Sequence, residues 1–131
     1  MRIGIEQEFV FKDGSGRYLD CENTQYALFS QVVDRFPLFD GDDAWFACKS
    51  LETRPKRCYV EGFERHGPDG AVLETLPKGL EIRTLPHETV AGILKEFRAS
   101  YAAVMETAGR FGLSPVLIVQ GQPLPAVPDS L

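Results

Sequence analysis

A chain of 131 residues, 44% hydrophobic and 25% charged, has the length and composition of one globular domain and not those of a disordered segment. Nineteen acidic against fourteen basic side chains leave a formal net charge of -5, which excludes the concentrated basic field that nucleic-acid phosphates require. An apolar run such as Val116–Val119 is far short of the ~20 residues that cross a bilayer, so neither nucleic acid nor membrane is expected as a partner.

Glu6 and Glu8 interrupt the place where the apolar stretch of a secretory signal would sit, and cytoplasm is the default expectation. Cys21, Cys48 and Cys58 are odd in number and lack C-x-x-C spacing, which argues against a disulfide framework or a structural zinc site and for inert, buried thiols. The most basic stretch, Arg54 to Arg57, is broken by Pro55 and reads as a solvated loop. The whole of 1–131 reads as a single domain whose residues 121–131, with Pro123, Pro125 and Pro128, form an extended tail.

In chain order, Arg2 to Phe11 alternates. Ile3, Ile5, Phe9 and Phe11 share one side and Gly4, Glu6, Glu8 and Val10 the other, the period of a strand with one apolar face. Asp13-Gly14 and Ser15-Gly16 break it. Asn23 or Thr24 is placed to cap a helix running to about Phe36, with Tyr26, Phe29, Val33 and Phe36 on one stripe, and Pro37 stops it. An acidic turn over Asp40–Asp43 precedes a short apolar run, Ala44–Cys48, read as a strand, and loop through Arg57.

Cys58 to Arg65 reads as a strand, and Gly67-Pro68-Asp69-Gly70 as the turn that joins it to the next. Ala71–Thr75 and Leu80–Leu85 follow as strands, separated by a kink or bulge at Pro77-Lys78-Gly79. The clearest element is a helix from about Glu88 to Phe111. In it Val90, Ile93, Leu94, Phe97, Tyr101, Val104, Met105, Ala108 and Phe111 recur at spacings of three and four, ahead of a capping Gly112. Pro115–Gln120 is a last apolar strand. The order predicts an α+β fold, an antiparallel or mixed sheet with two helices packed on one face, and it also permits a ferredoxin-like split arrangement.

The chemistry-bearing stretch is Gly4-Ile5-Glu6-Gln7-Glu8-Phe9. Carboxylates two residues apart on a strand share a face at roughly 7 Å, where their repulsion is relieved by a hard divalent cation such as magnesium. A solvated strand face carrying two glutamates is the alternative. Leu80-Glu81-Ile82-Arg83 puts Glu81 and Arg83 on one face of a second strand, and if the two strands are neighbours, Glu6, Glu8 and Glu81 converge beside a fixed cation suited to a substrate carboxylate or phosphate. Arg83 pairing with a glutamate across the sheet is the plainer outcome. Glu61, Glu64 and Glu74 lie on middle strands, where they could add a ligand or simply line a solvated face. Of these Glu74, seven residues before Glu81 across the kink, is the one expected to reach the cluster. His66 and His87 belong to no metal-ligand pattern and read as structural or capping residues.

An N-terminal Gly-Ile-Glu-x-Glu strand, then Leu-Glu-Ile-x-Thr-x-Pro, then a long helix before Gly-Leu and another strand, resembles the beginning of the glutamate–cysteine ligase family, carboxylate–amine ligases of the glutamine synthetase-type fold. The resemblance covers Ile3–Phe11 and Gly79 to about Gln120. It implies ATP-dependent joining of a carboxylate to an amine through an acyl phosphate, with Glu6, Glu8 and Glu81 holding magnesium against the nucleotide phosphates and Arg83 holding an anionic, amino-acid-like substrate. Members of the family are two to three times longer and carry a Gly-Thr-His-Pro-like segment where this chain has Gly121-Gln122-Pro123. The resemblance therefore implies an N-terminal module or short relative, incomplete alone, that pairs with a second chain or with itself, or one that has lost the activity. A small non-catalytic assembly domain, dimeric through a sheet edge, is the competing expectation.

Overall fold

The computed structural model describes residues 1–42 and 57–117. Its elements are β1 (Glu6–Lys12), β2 (Tyr18–Leu19), α1 (Tyr26–Arg35), β3 (Cys58–His66), β4 (Val72–Arg83), α2 (Val90–Gly109) and β5 (Ser114–Leu117). All strand pairings are antiparallel, in the order β2-β1-β4-β3 with β5 also on β1. Phe9 pairs with both Leu80 and Leu117, and Phe11 with both Leu19 and Pro115, so β5 takes the edge of β1 opposite β4 and β2. The protein is thus α+β. Apart from the two-residue β2, the described elements run βαββαβ with spatial order β5-β1-β4-β3, the split arrangement that the sequence leaves open. The expected strand at Ala44–Cys48 and the tail at 121–131 lie outside the described residues.

One face of this sheet makes the core. Phe9, Phe11, Cys58, Val60, Leu80 and Ile82 project from three strands onto Phe29, Val32, Val33 and Phe36 of the first helical segment and Val104 and Ala108 of α2. Both helices therefore sit on the same side. Phe9 stacks on Tyr101 and Tyr101 on Phe97, which fixes the roll of α2 over β1. No described helix is long and apolar enough to cross a membrane.

The boundaries differ from the sequence expectation where tertiary contacts decide. The first strand starts at Glu6, not Arg2. Ile3 makes only an isolated bridge with His87 and is 50% exposed, outside the core. Helix α1 begins after Gln25, whose side chain makes no cap, because Asn23 is used in the preceding turn, accepting from Asp20 N and the Thr24 hydroxyl. Helix α2 is capped by Thr89, whose hydroxyl accepts from Gly92 N, and ends in a turn with Gly112 at φ 73°. Val90, Leu94 and Met105 are exposed, while Ser100 and Thr107 are buried. The buried stripe of α2 thus runs through two hydroxyls that an apolar count passes over. In the β1–β2 turn the Asp13 carboxyl is held below its ordinary range, first by the Ser15 hydroxyl and then by Arg17 N, against the opposing effect of desolvation. Its support of the turn is complete above the ordinary carboxylate range and fades as pH falls through the lowered value.

Strand β4 is continuous through Pro77-Lys78-Gly79. Glu61 pairs with Gly79 and Gly62 with Pro77, so Lys78 is the extra residue of a β-bulge. Two glycines make the close approaches around it possible. A Cβ on Gly62 would collide with the Leu76 carbonyl oxygen, and one on Gly79 with the Phe9 carbonyl oxygen, both backbone atoms that cannot swing aside. Gly79→Ala is expected to cost about 2–3 kcal/mol by wedging β4 from β1, whereas Gly14→Ala, with open space around its Cβ, stays within about 0.5 kcal/mol. Urea unfolding midpoints compare the two.

Candidate functional site

The register of β1 against β4 builds the site. Phe9 faces Leu80 on the core side, so the adjacent pair, Glu8 opposite Glu81, lies on the face turned away from the helices. On the other flank Tyr59 is opposite Glu81, and Glu61, two residues on, shares the same face of β3. The result is three carboxylates from three strands, Glu8, Glu61 and Glu81, each offering an oxygen within 4.8 Å of the others. Glu81 is buried at 7% exposure, and Glu8 and Glu61 are half-buried.

Three neighbours condition this cluster. The Tyr59 hydroxyl donates to Glu81 Oε2. The Arg83 guanidinium lies over the Tyr59 ring, 4.5 Å from its centroid, so the expected cation stands next to Glu81 through an aromatic side chain. Lys78, delivered by the bulge, donates from Nζ to Glu8 Oε2 at 2.7 Å.

Of the acids expected from sequence, Glu8 and Glu81 meet. Glu6 is opposite Arg83 in the register, is exposed, and is not among the three. Glu74 does not reach the cluster, because it lies on the far side of the bulge near the hairpin tip, where its carboxylate pairs with Arg65 at 3.1 Å. Its place is taken by Glu61. The spacing Tyr59-x-Glu61 on a strand was the available signal, but only the β3–β4 register distinguishes it from Glu64 or Glu74. Lys78 had no signal, since regular alternation from Leu80 would send it to the core.

A second polar assembly lies on the helix side. Arg57, expected in a solvated loop, is 2% exposed. Its Nε and Nη2 both donate to Asp42 Oδ1 (3.0 and 2.8 Å), and Nη1 pairs with Glu96 Oε1 at 3.2 Å and reaches Ser100 Oγ at 3.4 Å. Phe39 stacks under the guanidinium. Asp42, 0% exposed, also accepts from Phe39 N, and Glu96 Oε2 accepts from Leu85 N at 2.7 Å with His87 Nε2 3.3 Å away. Arg57 O accepts from Arg83 N, so this network holds the ends of β3 and β4 that carry Tyr59 and Glu81.

Two concavities among the described residues lie away from the carboxylates. One of about 340 Å³ adjoins Arg57, His87, Lys95 and Glu96. The other, about 480 Å³, separates Cys21 and Tyr26 from Leu73–Pro77. Burial, reinforced by Asp20 and Glu22, pushes the Cys21 thiol up, which keeps it protonated and a poor nucleophile at neutral pH.

Arg57→Met is expected to cost about 3–5 kcal/mol in chemical denaturation, because Asp42 is left charged and buried. Arg57→Met/Asp42→Leu recovers part of that loss. No protein-family model, no curated protein and no solved structure matches the chain, so its reading rests on this geometry.

Proposed function

We propose that the chain is the N-terminal module or a short relative of an ATP-dependent carboxylate–amine ligase of the glutamate–cysteine ligase kind, and that its acidic sheet face binds magnesium. The observation that carries this reading is the meeting of Glu8, Glu61 and Glu81 from three separate strands within 4.8 Å. Carboxylate oxygens from rigid strands are the donor set a small hard cation prefers, and waters and phosphate oxygens complete its shell. When bound, magnesium supplies charge neutralisation and orientation for phosphoryl transfer to a carboxylate.

The chain's own residues divide the work. Glu8, Glu61 and Glu81 are the ligands. Tyr59 orients the Glu81 carboxylate through its hydroxyl. Arg83, stacked on Tyr59, binds an anionic group of the substrate, a role for a planar guanidinium held by an aromatic face. Glu6, exposed at the start of β1, and Glu74, paired with Arg65, are outer charges in this scheme. ATP and an amino-acid-like carboxylate are the ligands, a second chain or second copy completes the pocket, and the compartment is the cytoplasm.

The contacts of Lys78 with Glu8 and of Tyr59 with Glu81 favour a second reading, a non-catalytic assembly domain whose acids are structural. Isothermal titration with Mg²⁺ or Mn²⁺, with and without ATP, separates the two. The ligase reading expects metal-dependent nucleotide binding that weakens at least tenfold in Glu8→Gln/Glu81→Gln. A wild-type chain that takes up neither metal nor nucleotide, and elutes as a stable dimer in gel filtration, supports the assembly domain instead.

A further inference from the structure

We infer that Asp69, at the tip of the β3–β4 hairpin, is a modification site: its side chain closes on the Gly70 nitrogen and reopens as isoaspartate, the methyl acceptor of carboxyl methyltransferases that use S-adenosylmethionine. The chain carries three Asp-Gly dipeptides, Asp13-Gly14, Asp40-Gly41 and Asp69-Gly70. Glycine obstructs such a closure least, having no Cβ beside the attacking nitrogen. In the reaction the Gly70 nitrogen forms a bond to Asp69 Cγ, and the amide proton and the carboxyl hydroxyl leave as water. Water then adds to one carbonyl of the five-membered imide. Opening at the side-chain carbonyl restores aspartate. Opening at the backbone carbonyl routes the main chain through the side chain and frees an α-carboxylate, which is isoaspartate.

The three dipeptides differ in what holds them. Asp13 Oδ1 accepts from Ser15 N, Ser15 Oγ and Arg17 N, and Oδ2 lies 3.3 Å from Arg17 Nε. These contacts fix the carboxyl and keep it ionised, with no hydroxyl to lose. Asp40 is exposed, but the backbone after it is clamped. Phe39 N donates to Asp42 Oδ2 and Asp42 N to Phe39 O, Asp42 is buried on Arg57, and Gly41 lies against Leu85. Turning Gly41 N toward the Asp40 side chain would break that buried pair. Asp69 has neither restraint. Pro68, Asp69, Gly70 and Ala71 are all exposed, and the carboxylate accepts one bond, from Ala71 N at 3.0 Å, which curls it back over the Gly70 nitrogen. What must yield is the turn bond from Gly70 N to Gly67 O and the contact of His66 Nδ1 with Gly70 O, both at a hairpin tip, where local opening costs least.

The whole chain is aged at 37 °C and mildly acidic pH, folded or in concentrated urea, then digested with trypsin and labelled by an isoaspartyl methyltransferase with a labelled methyl donor. The three aspartates fall in separate tryptic peptides, 13–17, 36–49 and 66–78. In the folded chain, peptide 66–78 is expected to take up label at least about tenfold faster than the other two, and in urea the three come within about threefold of one another. Asp69→Glu, whose closure would need a six-membered ring, loses the label from 66–78. Equal or faster labelling of 13–17 or 36–49 in the folded chain overturns the inference. So does labelling of 66–78 that survives Asp69→Glu, that is absent from the folded chain, or whose lead over the other peptides persists unchanged in urea.

Discussion

The acidic face is founded on the register in which β1 lies against β4. Glu8 is opposite Glu81 because Phe9 is opposite Leu80, and that apolar pair is committed to the core beneath the two helices. A slip of one residue would turn Glu81 into the core and Leu80 onto the carboxylate face, so the hydrophobic effect specifies the position of the carboxylates as strictly as it does that of the phenylalanine. Gly79 is the physical condition for this register, since it lets β4 come against the Phe9 carbonyl with no side chain between them. The like charges brought together pay for that placement in repulsion, which Lys78 and the Tyr59 hydroxyl partly relieve.

The buried Arg57 network plays a different part on the other side of the sheet. Arg57 connects the segment after α1, the start of β3, the end of β4 and the first turns of α2 through Asp42, Arg83 N, Glu96 and Ser100. Charges taken this far from water contribute little net stability when paired and cost heavily when unpaired, so their effect is to allow one arrangement of these segments and penalise others. Because Tyr59 and Glu81 sit two residues from Arg57 and Arg83, that arrangement also sets where the Tyr59 hydroxyl meets the Glu81 carboxylate.

The two polar assemblies differ in their balance of charge. Around Arg57 the donors and acceptors close on one another, and the helices cover them. On the opposite face three carboxylates converge with one ammonium and one phenol. The third acid adds like charge at short range, a cost that the register of the strands imposes. The bulge makes the same point in backbone terms. It interrupts a regular ladder at the residue that carries the positive charge, and irregularities of this type serve to re-aim a side chain.

Read alone, the amino-acid order determined the α+β class, the two helices, the hairpin turn at Gly67–Gly70 and the placing of Glu6 and Glu8 on one face of the first strand, because each is a matter of local period, capping chemistry or strand alternation. The Pro77–Gly79 kink was legible too, but not its consequence. Only the tertiary structure decided that Glu61 and not Glu74 completes the cluster, that Lys78 turns onto the acidic face, that Ile3 lies outside the core, and that Arg57 is buried against Asp42 and Glu96. Each of these depends on which residues of distant strands stand opposite one another, and a bulge shifts that correspondence by one without leaving a periodic trace in the chain. Arg57 shows the same separation for charge. Its sequence neighbours resemble a wet loop, and its burial comes from partners fifteen and more positions away.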